Sequence, residues 1–169
     1  MPETLLLAKE KLARSVSMTR KEKKISGDAL CQRANIGRNT LYLIEKKSGN
    51  ARLDTIMNLA VALNVDPCHF FGRDRYSSPS KERIQTFRAS VAAKIQGHRT
   101  MRALSQNALT KRAGLPWGYV SQIERKSPDL TLDVLDKIAG ALNVEVVELL
   151  APDFADELGP IIAAPPNDG

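Results

Sequence analysis

Two short stretches of this chain carry side chains suited to reading the edge of a base pair. The first runs Arg38-Asn39-Thr40-Leu41-Tyr42-Leu43 and ends in the cations Lys46 and Lys47. An arginine fork matches the O6/N7 acceptors of guanine, and an asparagine amide matches N6/N7 of adenine. Tyr42 and Leu43 follow on the same side. Arg38 has a plainer alternative, a phosphate contact. The second stretch holds Trp117, Gly118, Ser121 and Gln122, with Arg125 and Lys126 behind them. Gln122 suits adenine and Gly118 permits close approach. Trp117 suits either a thymine methyl or packing against protein, and Leu43 shares that ambiguity. Lys46, Lys47, Arg125 and Lys126 suit phosphates, which position a protein without reading sequence.

These stretches sit at matching places in an internal repeat. Displaced by 79 residues, Ser26–Val65 lies on Ser105–Val144 without a gap and agrees at 16 of 40 positions. Agreement includes Ala29/Ala108, Leu30/Leu109, Arg33/Arg112, Ile44/Ile123, Glu45/Glu124, Leu53/Leu132 and the run Ala62-Leu63-Asn64-Val65. Between 37–43 and 116–122 no residue agrees. A fixed offset means two units of one fold in series, with a shared scaffold and one differing surface.

Apolar spacing and capping residues predict the scaffold. Thr4 caps a first helix with Leu5, Ala8, Leu12 and Val16 inward. Ser26 caps a second helix, Gly27 to Ala34, and Asn35 takes the left-handed turn that Gly114 takes in the second unit. A third helix covers about Arg38 to Lys46 and a fourth Leu53 to Leu63. Asp66-Pro67 opens a fifth, with Phe70 and Phe71 as plugs. The second unit repeats this over Lys81–Thr100, Ser105–Ala113, Trp117–Lys126, Leu132–Leu142 and Val146–Leu150. Its first helix is about two turns longer than the unit requires and carries Ile84, Phe87, Val91 and Ile95 on one side. The expected organisation is a first domain over 1–72, a polar linker over 73–80, a second domain over 81–150 and an acidic tail over 151–169.

Two helices joined by a three- to four-residue turn form a helix-turn-helix. The second unit's Ser105-Gln106, Ala113-Gly114, Ser121-Gln122-Ile123-Glu124, Leu132-Asp133-Val134-Leu135 and Ala139-Gly140-Ala141-Leu142 resemble the Xre/Cro phage-repressor family. The first unit resembles it less closely: Gly27 replaces the glutamine, Asn35 the glycine and Leu43 the second glutamine. The resemblance omits only the linker and tail. It implies an all-α chain of two tandem five-helix, lambda-repressor-like domains. It also implies that Ser105 and Gln106, and Ser26 alone in the first unit, hold the phosphate backbone. Arg20 with Glu45, and Arg99 with Glu124, have the spacing of the family's bridge from the first helix to the end of the third. That bridge sets the angle of the reading helix.

Charge fits a polyanionic partner. The net charge is +6, and the tail acids Asp153, Asp156, Glu157 and Asp168 have no compensating base nearby. With them set aside, 25 basic residues face 15 acidic ones. No apolar run reaches the ~20 residues of a membrane span, and the amino-terminal stretch is too short for a signal peptide. A cytoplasmic, nucleoid-associated protein without a membrane partner is expected. Cys31 and Cys68 lie in apolar helical patterns without CxxC spacing and read as buried free thiols. His69 and His98 are the only histidines and lack metal-spaced companions. No phosphate loop or nucleophile–base pair is visible, so neither enzyme activity, cofactor nor metal is expected.

The expected function is a sequence-specific double-stranded DNA-binding regulator, in the manner of a repressor, with a third helix from each domain in the major groove. The two linked domains then form a covalent pseudo-dimer. A further homodimer through Ile84, Phe87 or the tail would supply four reading helices. The alternative is a protein-interaction module such as an antitoxin, its acidic-apolar tail resting on a basic partner. The tail is too short for a sensor or self-cleaving domain.

Overall fold

The computed structural model describes residues 7–152. Among them the chain is helical throughout, as two tandem helix-turn-helix units. The first comprises α1 (Ala8–Glu22), α2 (Gly27–Ala34), α3 (Arg38–Glu45), α4 (Leu53–Leu63) and a 3₁₀ helix at Pro67–Phe71. The second comprises α5 (Lys81–Met101), α6 (Gln106–Arg112), α7 (Tyr119–Lys126), α8 (Leu132–Leu142) and α9 (Val146–Leu150). Thr4, Leu5 and the tail beyond Pro152 lie outside the described residues, and so do the cap and tail contacts expected of them.

The repeat is visible atom by atom. Ser26 Oγ accepts from the Ala29 amide at 3.1 Å and Ser105 Oγ from Ala108 at 3.0 Å, each satisfying a free N–H of a first turn. Left-handed residues recur at the same offset: Lys24 and Ala103, Asn35 and Gly114, Asn64 and Asn143. Leu30/Leu109, Ile44/Ile123, Leu53/Leu132, Ile56/Leu135 and Leu63/Leu142 are all buried. Each such side chain removed from water stabilises the fold by about 1.5–3 kcal/mol.

The units share one continuous core. Where they meet, Arg52 and Thr131 form an isolated antiparallel bridge. On either side Leu53 N–H donates to Leu130 O at 2.9 Å and Leu132 N–H to Ala51 O at 2.8 Å. The extra amino-terminal turns of α5 bring Arg83 to this junction. Arg88 pairs with Asp54, while Arg83 reaches the buried Asp66 at 3.0 Å and the Leu150 carbonyl at 3.1 Å.

Two expectations need correction. Phe87 is 2% exposed; it belongs to the shared core and offers no surface for a homodimer, although Ile84 remains partly exposed. The third helix of the second unit does not begin at Trp117. Tyr119 N–H donates to Pro116 O at 3.1 Å, and Gly118 has φ +76° and ψ −2°. Those angles are what the third position of a type II turn demands, and glycine supplies them without strain. The helix therefore starts at Tyr119, two residues later than its counterpart. It also ends two residues later, at Lys126, because Ser127 rather than the equivalent of Lys47 takes the left-handed turn. In the first unit Gly49 folds back onto the end of α3, where a Cβ would sit 2.9 Å from Ile44 N. Pro128 stands at that place in the second unit, beyond the helix end.

Candidate nucleic-acid interface

The third helix of each unit is pinned by two buried residues, Leu41 and Ile44 on α3, Val120 and Ile123 on α7. The opposite face of α3 exposes Arg38, Asn39, Tyr42, Leu43 and Lys46, at the spacing that puts them on one side. Lys47 follows the helix and is exposed. Lys46 Nζ lies 5.8 Å above the Tyr42 ring, and Arg38 Nε bonds Asp28 Oδ1 at 2.8 Å. The exposed face of α7 carries Gln122, Arg125 and Lys126, with Ser121 half-buried. Arg125 Nε leans back onto Ser121 O at 3.3 Å. Trp117, 87% exposed, stands in the turn before α7 together with Gly118. Neither residue is on the helix.

A brace behind each helix ties its end to the first helix of its unit. Arg20 Nε donates to Glu45 Oε1 at 3.0 Å and its Nη1 to Ile25 O at 3.3 Å. The second unit repeats this with Arg99, Glu124 and Leu104, at 2.6 Å from Nε, 3.0 Å from Nη2 and 2.7 Å to the carbonyl. Here Gln106 Nε2 also donates to Glu124 Oε2 at 2.7 Å. Gln106 thus joins the brace through its amide nitrogen. Glycine at the same place, Gly27, leaves Glu45 more open: its side chain is 24% exposed against 3% for Glu124. Ser26 and Ser105 stay exposed at the amino ends of α2 and α6.

Comparison with known proteins agrees with this geometry. Residues 98–149 match a helix-turn-helix family model, and residues 16–72 match the model of the Cro/C1-type HTH DNA-binding domain. The control protein C.SmaI of Serratia marcescens is 37% identical over 60 residues, which are 36% of this chain and 71% of that protein. The chain belongs to the Cro/C1-type helix-turn-helix family. A protein of Neisseria meningitidis serogroup B described as a hypothetical transcription factor is 37% identical to this tandem Cro/C1-type chain over 68 residues, 40% of the chain. The match spans 64% of the Neisseria protein. No solved structure matches the Cro/C1-type chain.

Sequence reasoning missed Asp28, the partner of Arg38. It could have been suspected, because a carboxylate in the first turn of a helix expected to face phosphate is out of place. Cys31 and Cys68 are free and buried. Desolvation pushes Cys68 up to about 12, with Asp66 adding to it, and burial also raises Cys31. Both thiols are packing groups of the Cro/C1-type domain. His69 contacts Thr19 Oγ1 at 2.8 Å and Asp74, tying α1 to the linker. Burial first, then Arg102, lowers the pKa of the half-buried His98. Among the described residues no group of three acidic, histidine or cysteine side chains is arranged for a metal. No helix there is long and apolar enough to cross a membrane.

Proposed function

We propose that this protein is a sequence-specific double-stranded DNA-binding transcriptional regulator that represses by occupying its site, with α3 and α7 each in a major groove. The observation that carries the reading is the twice-built arrangement of a braced helix with an exposed polar face and basic residues at its end. An α-helix fits the width of the major groove, where every base pair presents a distinct pattern. Arg38 and Asn39 read the first half-site, with Tyr42 and Leu43 supplying apolar contact. Gln122 and Ser121 read the second, and Trp117 reaches a thymine methyl from the preceding turn. Lys46, Lys47, Arg125 and Lys126 neutralise phosphates, while Ser26 and Ser105 present helix amino ends to the backbone. The names of the Serratia and Neisseria relatives, a control protein and a transcription factor, support the same class.

A second reading is favoured by Trp117, whose 87% exposure suits a protein contact as well as a base. Selection of duplexes from a random pool at about 150 mM salt, followed by footprinting, tests both, because specific binding must survive the screening of phosphate contacts. Two unlike half-sites about one helical turn apart support reading by both units. A single half-site assigns the other unit to protein. Absence of any enriched motif refutes the proposal.

A further inference from the structure

Four contacts between the units follow one rule: add 79 to one partner, subtract 79 from the other, and the same contact returns. Leu53 N–H to Leu130 O becomes Leu132 N–H to Ala51 O. Asp54 N–H to Asp129 Oδ1 at 3.0 Å becomes Asp133 N–H to Asn50 Oδ1 at 3.1 Å. The Arg88–Asp54 ion pair becomes Lys9–Asp133 at 2.7 Å. Arg52 opposite Thr131 returns itself. Exchange of partners under one operation is the mark of an isologous interface, in which a patch meets its own copy across a two-fold axis. Here the axis passes between Arg52 and Thr131 and relates two parts of one chain.

The patch also discriminates. A first unit paired with another first unit would set Arg52 against Arg52, and like charges directly opposite across a bridge are destabilising. Opposite Thr131, Arg52 meets no like charge, and its Nη1 donates to Asp129 O at 2.8 Å. Asp66 is 2% exposed and receives Arg83 from the surplus amino-terminal end of α5. Self-pairing of the first unit would strip that buried carboxylate of its cation. Pairing between two second units leaves a first unit either alone or self-paired, so each like-with-like alternative incurs a cost.

We infer that the surface through which a second copy would dock is consumed within the chain, so that a single chain occupies one bipartite duplex with unlike halves. The interface stands on the contacts alone; its occupation of a duplex rests on the function proposed above. The halves differ because the reading stretches share no residue over 37–43 and 116–122, and α7 is displaced by two residues.

Two measurements test this separately. Arg52 and Thr131 form a non-hydrogen-bonded antiparallel pair, for which Cα atoms lie about 4.5 Å apart, within disulfide reach. The native thiols Cys31 and Cys68 are buried. Oxidation of the full chain carrying Arg52→Cys and Thr131→Cys should give an internally linked species of single-chain mass, and Arg52→Cys alone should give no linked dimer. Linked dimers from either variant, or no disulfide from the double variant, overturn the inference. Sedimentation of the unmodified chain provides a check free of substitutions: 18.6 kDa is expected, and twice that mass overturns it.

For the duplex, the probe is the sequence enriched from the random pool, titrated by anisotropy well above its Kd. A break at one chain per duplex is expected, and a break at two overturns the inference. If no duplex is enriched, the DNA reading falls, and single-chain occupancy of a duplex with it. The crosslink still decides the interface.

Discussion

Arg99→Ala removes three donors from the core of the second unit at once. Two serve the Glu124 carboxylate, at 2.6 and 3.0 Å, and the third caps the Leu104 carbonyl at 2.7 Å. Glu124 then keeps only Gln106 while its side chain is 3% exposed. Stranding one partner of a buried pair costs about 3–5 kcal/mol. The matched substitution, Arg20→Ala, should cost about 1–2 kcal/mol, as for a charged hydrogen bond that water partly replaces, because Glu45 is 24% exposed. Urea unfolding followed by circular dichroism measures both. With a slope of about 2 kcal/mol/M, the midpoint should fall by about 1.5–2.5 M for Arg99→Ala and by about 0.5–1 M for Arg20→Ala. A control isolates the cause. Arg99→Met combined with Glu124→Leu removes the stranded charge together with its partner and should recover most of the loss. Equal costs for the two arginines, or a double variant no better than Arg99→Ala, would refute the reasoning.

Arg38→Ala should relax preference within the first half-site by about 1–3 kcal/mol, whereas Lys126→Ala should weaken all duplexes alike and flatten the salt slope by about one unit; identical profiles from competition binding would sink the distinction. Asp28→Asn frees Arg38 Nε and removes an acid from the side expected to meet phosphate. Affinity for random duplexes should rise and the ratio of selected to random affinity should fall, so an unchanged ratio argues against a role for Asp28 in presenting Arg38. The hydrogen bond from Arg88 holds the Asp54 carboxyl below its ordinary 3.8. Its contribution is therefore complete above pH ~4 and is lost as pH falls through the lower folded value. Between pH 5 and 2.5 the melting temperature should fall more steeply in the parent than in Arg88→Gln. The difference is small because both groups are about half exposed, and parallel curves would contradict the assignment.

The helices were legible because the code for them is local. Ser26 and Ser105 cap, Asn35 and Gly114 turn, and Leu30, Leu53 and Leu63 recur at helical spacing beside their copies at 109, 132 and 142. The start of α7 was not legible. The repeat aligned Trp117 with Arg38 and suggested a helix there, whereas Pro116 and Gly118 form a turn. The bond from Gln106 to the Glu124 carboxylate was not legible either, because it joins residues 18 apart in the chain.

The sequence by itself determined that there are two copies of one scaffold, where each helix lies to within a turn, and which stretch differs between them. Period, caps and repeat are all properties of neighbours along the chain. Only the tertiary structure decided that the copies face each other across a pseudo-two-fold axis, that Phe87 is interior, and that Arg83 neutralises Asp66. Those depend on groups 17 to 79 residues apart being brought within hydrogen-bond reach, and no local pattern carries that information. Burial then decides which charges matter, because a carboxylate removed from water must have its cation and one left in water need not.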